Sequence, residues 1–117
     1  MKKSSNTGVG LNEILQVSID LVTGNEERLI APFDFNIAEW TIWLNKVGSA
    51  SVDIMVAPNG TIPDGDWDLC SPTVVGDYDR NQSGLSLSLD KDDYIVFKVN
   101  SADIATKAVV CLHGTRR

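Results

Sequence analysis

From Leu15 onward the chain alternates apolar and polar residues with a period of two. LQVSIDLV sets Leu15, Val17, Ile19 and Leu21 against Gln16, Ser18 and Asp20, and FDFNI sets Phe33, Phe35 and Ile37 against Asp34 and Asn36. WTIWLN places Trp40, Ile42 and Leu44 on one side, with Thr41, Trp43 and Asn45 on the other. VDIMV alternates Val52, Ile54 and Val56 with Asp53 and Met55, and LSLSL is strict. YIVFKV and ATKAVVCL alternate less sharply, as strands with more burial on both faces do. Half-buried antiparallel strands require this pattern, because successive side chains leave opposite faces. LNEILQVSIDLV also fits a helical face, but its β-branched content from Val17 favours a strand, with room for a helical turn before it.

Breakers divide these runs: TGNEE after the first, KVGSAS between two central ones, and LDKDDY before the penultimate one. The expected fold is all-β, an antiparallel sandwich or jelly roll of about seven or eight short strands. Its expected organisation is an N-terminal arm at 1–10 and one domain at 11–117, with a long loop at 58–84. A loop of that length in a compact domain usually carries contacts or function.

Composition narrows the function classes. With 117 residues and 43% hydrophobic content, the chain suits one globular domain. MKKSSNTGVG lacks the apolar run of a secretory signal, and no later stretch approaches the ~18 apolar residues of a membrane helix. A cytoplasmic origin is therefore expected, with no membrane partner. The net charge of −6 argues against nucleic acid, whose binding needs Lys and Arg on phosphates. Basic residues pair only at the ends, Lys2 with Lys3 and Arg116 with Arg117. They read as solvated termini or as docking points for an acidic partner. Cys70 and Cys111 match no zinc or redox spacing, and a bond between them is left open.

No catalytic constellation is legible. His113, the single histidine, stands at the end of the last run beside Gly114 and has no sequence-local nucleophile or orienting carboxylate. PNGTIPDGDWDLCSP, residues 58–72, is the densest stretch chemically. Asp64, Asp66 and Asp68 imitate the first three ligands of a calcium loop, but the sixth position is Leu69 rather than Gly and the twelfth is Val75 rather than Glu. Turn formation explains the aspartates better, so neither metal nor cofactor is expected. Among the tryptophans, Trp40 shares the apolar phase and belongs in the core, whereas Trp43 shares the polar phase. Trp67 sits among aspartates, either plugging one end of the sandwich or meeting a partner. Trp43, Trp67, Lys2 and Lys3 are the interface candidates, since exposed aromatics concentrate at protein interfaces and stack on sugars.

From about Gly48 the chain resembles a small β-sandwich module of tailed-bacteriophage virion proteins, found in head- or tail-associated proteins and tail-fibre segments. The shared order is SVDI, a proline-containing loop ending in SP, SGLSLSL, DDYIVFKVNSA and a last apolar strand running into basic residues. It departs at Leu85, where members often carry Trp, and at DKDD, which replaces a Gly-Asp turn. The resemblance implies a non-enzymatic virion component, made in the host cytoplasm. The leading expectation is a capsid decoration (cement) or head-fibre protein. Its arm, with Lys2 and Lys3, and one sandwich face would dock on capsid subunits, as a homo-oligomer for which a trimer is the fold-level analogy. The alternative is a tail-tip or tail-fibre module binding a host-surface carbohydrate, with Trp67, Asp66 and Asp68 at its centre.

Overall fold

The structure, a computed structural model, describes residues 13–58 and 68–117. Eight strands follow one another: β1 (Glu13–Asp20), β2 (Glu26–Ile30), β3 (Phe35–Ala57), β4 (Asp68–Cys70), β5 (Thr73–Gln82), β6 (Leu87–Leu89), β7 (Tyr94–Asp103) and β8 (Lys107–Arg116). All pairings are antiparallel. The all-β sandwich expected from the alternation is what the chain forms, built from a single curled sheet.

The organising element is β3, 23 residues long. The FNI of FDFNI, WTIWLN and VDIMV, which read as separate strands, are parts of it, and KVGSAS lies inside it rather than breaking it. Irregularities in its ladders make one continuous strand possible. One, between Ile37 and Glu39 in the ladder with β8, shifts the inward phase by one residue. Phe35 and Ile37 therefore share the core with Trp40, Ile42 and Leu44 although their positions differ in parity. Others, around Gly48 in the ladder with β5, fall where the partner along the other edge changes from β8 to β7. Gly48 is required there, since a Cβ would stand 2.5 Å from the Asp103 carbonyl oxygen and 2.8 Å from the Ala105 nitrogen.

Each edge of β3 is lined by strands laid end to end. On one side β8 pairs Phe35–Leu44 and β7 pairs Ser49–Ala57. On the other, β6, β5 and β4 follow in turn. β1 then flanks β8 and β2 flanks β7. The two halves close over one core, to which β1 gives Leu15 and Ile19, β7 gives Ile95, Phe97 and Val99, and β8 gives Ala108, Val110 and Leu112. Burying these side chains contributes about 1.5–3 kcal/mol each for the larger ones, offset by the entropy of ordering the chain. The corner between β7 and β8 is tight: Ile104 adopts φ 72°, an unusual conformation for a β-branched residue.

The segment at 58–84 differs from the expected long loop, because β4 and β5 lie within it and both pair with β3. Period two failed to reveal β5 for a physical reason. It buries Val74, half-buries Thr73 and exposes the other eight residues, so no core face imposes an alternation.

Candidate functional site

The registers of β1, β8 and β3 bring residues from three distant stretches onto one outward face. Ser18, Val109 and Trp43 form a cross-strand row. The next row holds Asp20 opposite Lys107, with Asn45 alongside. Together they line a cleft of about 390 Å³ that Glu27 of β2 also reaches, within the size range of small-ligand sites.

The opposite phases of Trp40 and Trp43 decide which indole faces out: Trp40 is 4% exposed and Trp43 is 41% exposed. Trp43 is thus a large flat apolar surface presented by a strand in mid-sheet. Asn45 holds the rim. Its Oδ1 accepts hydrogen bonds from the backbone N–H groups of Thr106 (3.0 Å) and Lys107 (3.2 Å), and its Nδ2 donates to Thr106 Oγ1 at 2.8 Å. These bonds fix the turn from which Lys107 projects. Lys107 Nζ lies 3.9 Å from Asp20 Oδ1, with both side chains mostly in solvent, so the pair is loose and screened. Asp79 of β5 is paired with Trp43 on the far side. Asp20 and Glu27 therefore line the cleft with one ammonium, that of Lys107, and Asp79 adds a carboxylate at the position beside Trp43.

One row along the same face, Gln16, Cys111, Thr41 and Asn81 lie across four strands. Thr41 Oγ1 is 3.1 Å from His113 Nε2, and the Cys111 thiol donates to Gln16 Oε1 at 3.4 Å. These contacts give His113 a structural partner. Burial raises the Cys111 pKa and pushes the Cys70 thiol up to about 12, the opposite of what a nucleophilic thiolate needs. Both cysteines are free thiols, which settles the open question of a bond.

Of the sequence candidates, the structure brings Trp43 into the cleft. Asp68 opens β4, exposed and beside Met55. Lys2, Lys3, Asp64, Asp66 and Trp67 lie outside the described residues. Among the described residues no group of three or more His, Cys, Asp or Glu is arranged to hold a metal ion. The C-terminal arginines serve their own chain. Arg116 pairs with Glu13 at 3.3 Å and sits 4.1 Å above the Phe33 ring, while Arg117 donates to Leu89 O and to Asp90, each at 2.7 Å. Ser18, Asp20 and Lys107 had been missed. The polar phase of Ser18 and Asp20 was legible, but their meeting with Val109 and Lys107 depends on pairing residues about ninety positions apart.

Comparison with protein-family models gives no match, and comparison with curated proteins gives none either. Among solved structures the chain is similar to the CBM32 of AlyQ in complex with 4,5-unsaturated mannuronic acid, with TM-score 0.55 and 10% identity over 83% of this chain and 75% of that one. It is also matched to the nucleoplasmin-like N-terminal domain of Drosophila FKBP39, with TM-score 0.47 and 13% identity over 95% of this chain and 96% of that one. A third match is to infectious bursal disease virus, Gx strain, with TM-score 0.30 and 9% identity over 89% of this chain and 32% of that one. The likeness to the first is one of β-sandwich architecture.

Proposed function

We propose that the chain is a non-enzymatic protein of a tailed-bacteriophage virion, a capsid decoration or head-fibre protein that docks on capsid subunits. The observation that supports docking is β5. Among the described residues it pairs with β3 alone, and it carries Val75 and Tyr78 outward at 74% and 57% exposure. An edge strand with free backbone groups and projecting apolar side chains is suited to adding a strand from a partner. Several copies in one assembly would strengthen the contact through avidity. The test is to add the purified chain to particles lacking it and to image them. Ordered copies on the head are expected, and a folded Val75→Asp/Tyr78→Ala variant should lose at least tenfold in occupancy. Copies confined to the tail, or full occupancy by the variant, would overturn the reading.

A second reading, a module that binds carbohydrate on a host surface, is favoured by the cleft beside Trp43. An indole in mid-sheet with charged and hydroxyl groups around it can stack on the apolar face of a sugar ring while those groups meet its hydroxyls. The sandwich shared with a carbohydrate-binding module is compatible with such a ligand. On this reading the ligand stacks on Trp43; Trp67, the centre expected from the sequence, lies outside the described residues. A glycan array probed with the wild-type chain and with Trp43→Ala tests it; an array without signal, or one unchanged by the substitution, would refute it.

A further inference from the structure

We infer that the Trp43 cleft selects neutral sugars and discriminates against uronic acids, an inference that rests on the carbohydrate reading above. The selectivity follows from what surrounds the indole. Trp43 is 41% exposed and lines the cleft, so its indole can stack on a pyranose ring, a contact that depends on the C–H groups of the sugar and is indifferent to its charge. The rim decides the charge. Asp20 and Glu27 line the cleft, Asp79 sits opposite Trp43 on β5, and Lys107 is the one cation among the lining residues. Lys107 is already turned towards Asp20, at 3.9 Å.

A uronate stacked on Trp43 has two options. It can pair with Lys107 by displacing Asp20, which leaves the Asp20 carboxylate beside a second anion. Alternatively it can lie away from Lys107, where Glu27 and Asp79 repel it. Like charges brought together in this way disfavour a ligand, and rejection by unmatched charge is a common source of specificity. A neutral hexose avoids both. Its adjacent hydroxyls can donate to the Asp20 carboxylate and accept from the Lys107 ammonium without separating the pair, and Ser18 supplies a further hydroxyl on the same face. Asn45, whose amide is committed to the turn at Thr106 and Lys107, positions Lys107 and is not expected to be a sugar contact.

One stacked ring and a few solvent-exposed hydrogen bonds give a weak site, with a Kd on the order of 1 mM for a monosaccharide. The experiment is a titration of the full chain by two-dimensional NMR, with methyl glycosides of neutral hexoses in one arm and glucuronate and mannuronate in the other. Shift changes at Ser18, Trp43, Lys107 and Val109 are expected with at least one neutral hexoside. The uronates should bind at least fivefold more weakly. In an Asp20→Asn/Glu27→Gln variant, whose substitutions lie on exposed positions, that gap should close.

The outcomes separate the two ideas. No binding by any sugar, or shifts mapping away from Trp43, overturns the carbohydrate reading at this cleft and the selectivity with it. Uronates that bind as tightly as neutral hexosides overturn the selectivity and leave the carbohydrate reading standing. A gap that persists unchanged in the double variant also overturns the selectivity mechanism.

Discussion

Gly48→Ala tests whether the close approach of β3 to the β7–β8 corner depends on an absent side chain. The added methyl would stand 2.5 Å from the Asp103 carbonyl oxygen and 2.8 Å from the Ala105 nitrogen, both backbone atoms at the β7–β8 corner. Neither can swing aside as a flexible side chain would. Either the corner or β3 must shift. Overpacking of this kind costs about 1–3 kcal/mol, and a rigid backbone neighbour favours the upper end. Against it stands the gain from reducing the freedom of the unfolded chain, about 0.4–1 kcal/mol. A net loss of about 2 kcal/mol is expected. Urea unfolding reads it: with a slope of about 2 kcal/mol/M, the midpoint should fall by about 1 M at unchanged slope. Gly24→Ala is the comparison, because a Cβ there meets nothing within 4 Å and the cost comes only from φ 89°. That backbone cost is about 1–2 kcal/mol, with no packing disturbance to propagate. NMR shifts should therefore spread to Asp103–Ala105 in Gly48→Ala and stay local in Gly24→Ala. A Gly48→Ala midpoint equal to that of the wild type would refute the close-approach reasoning.

Other expectations follow from the same packing. Trp40→Ala should destabilise by about 3–5 kcal/mol, whereas Trp43→Ala should cost under about 1 kcal/mol, measured side by side by thermal unfolding. The contrast rests on 4% against 41% exposure. Ile104→Asn should stabilise by about 1 kcal/mol, since Ile104 is 64% exposed at φ 72° and asparagine tolerates that conformation; a lower unfolding midpoint would contradict it. The Cys70 thiol ionises at about 12 in the folded chain and near about 8.5 in the unfolded one, so the unfolded state loses its proton first. Stability from this group is full below about pH 8.5 and should fall as pH rises towards 12, by at most about 1.4 kcal/mol per pH unit. Unfolding curves for wild type and Cys70→Ala across that range should therefore converge in slope only at lower pH.

Much of the fold was legible because one side of most strands faces a core. Period two identified the segments of β1, β3, β7 and β8 and sorted Trp40 inward and Trp43 outward. It failed where the physics behind it is absent. β5 has almost no buried face, so nothing in its residues alternates. KVGSAS carries turn-forming residues, yet bulges and the missing Cβ of Gly48 let β3 run through it. Local composition cannot tell a breaker from a bend, because the distinction lies in what the backbone meets across the sheet.

The amino-acid order alone determined the all-β class, the inward side of most strands and the outward phase of Ser18, Asp20 and Trp43. Tertiary structure decided that these three meet Lys107. A strand's phase is a local property, set by its own alternation, whereas a cleft depends on register between β1, β8 and β3. A slip of one residue in either ladder would turn one strand's set to the core and dissolve the site.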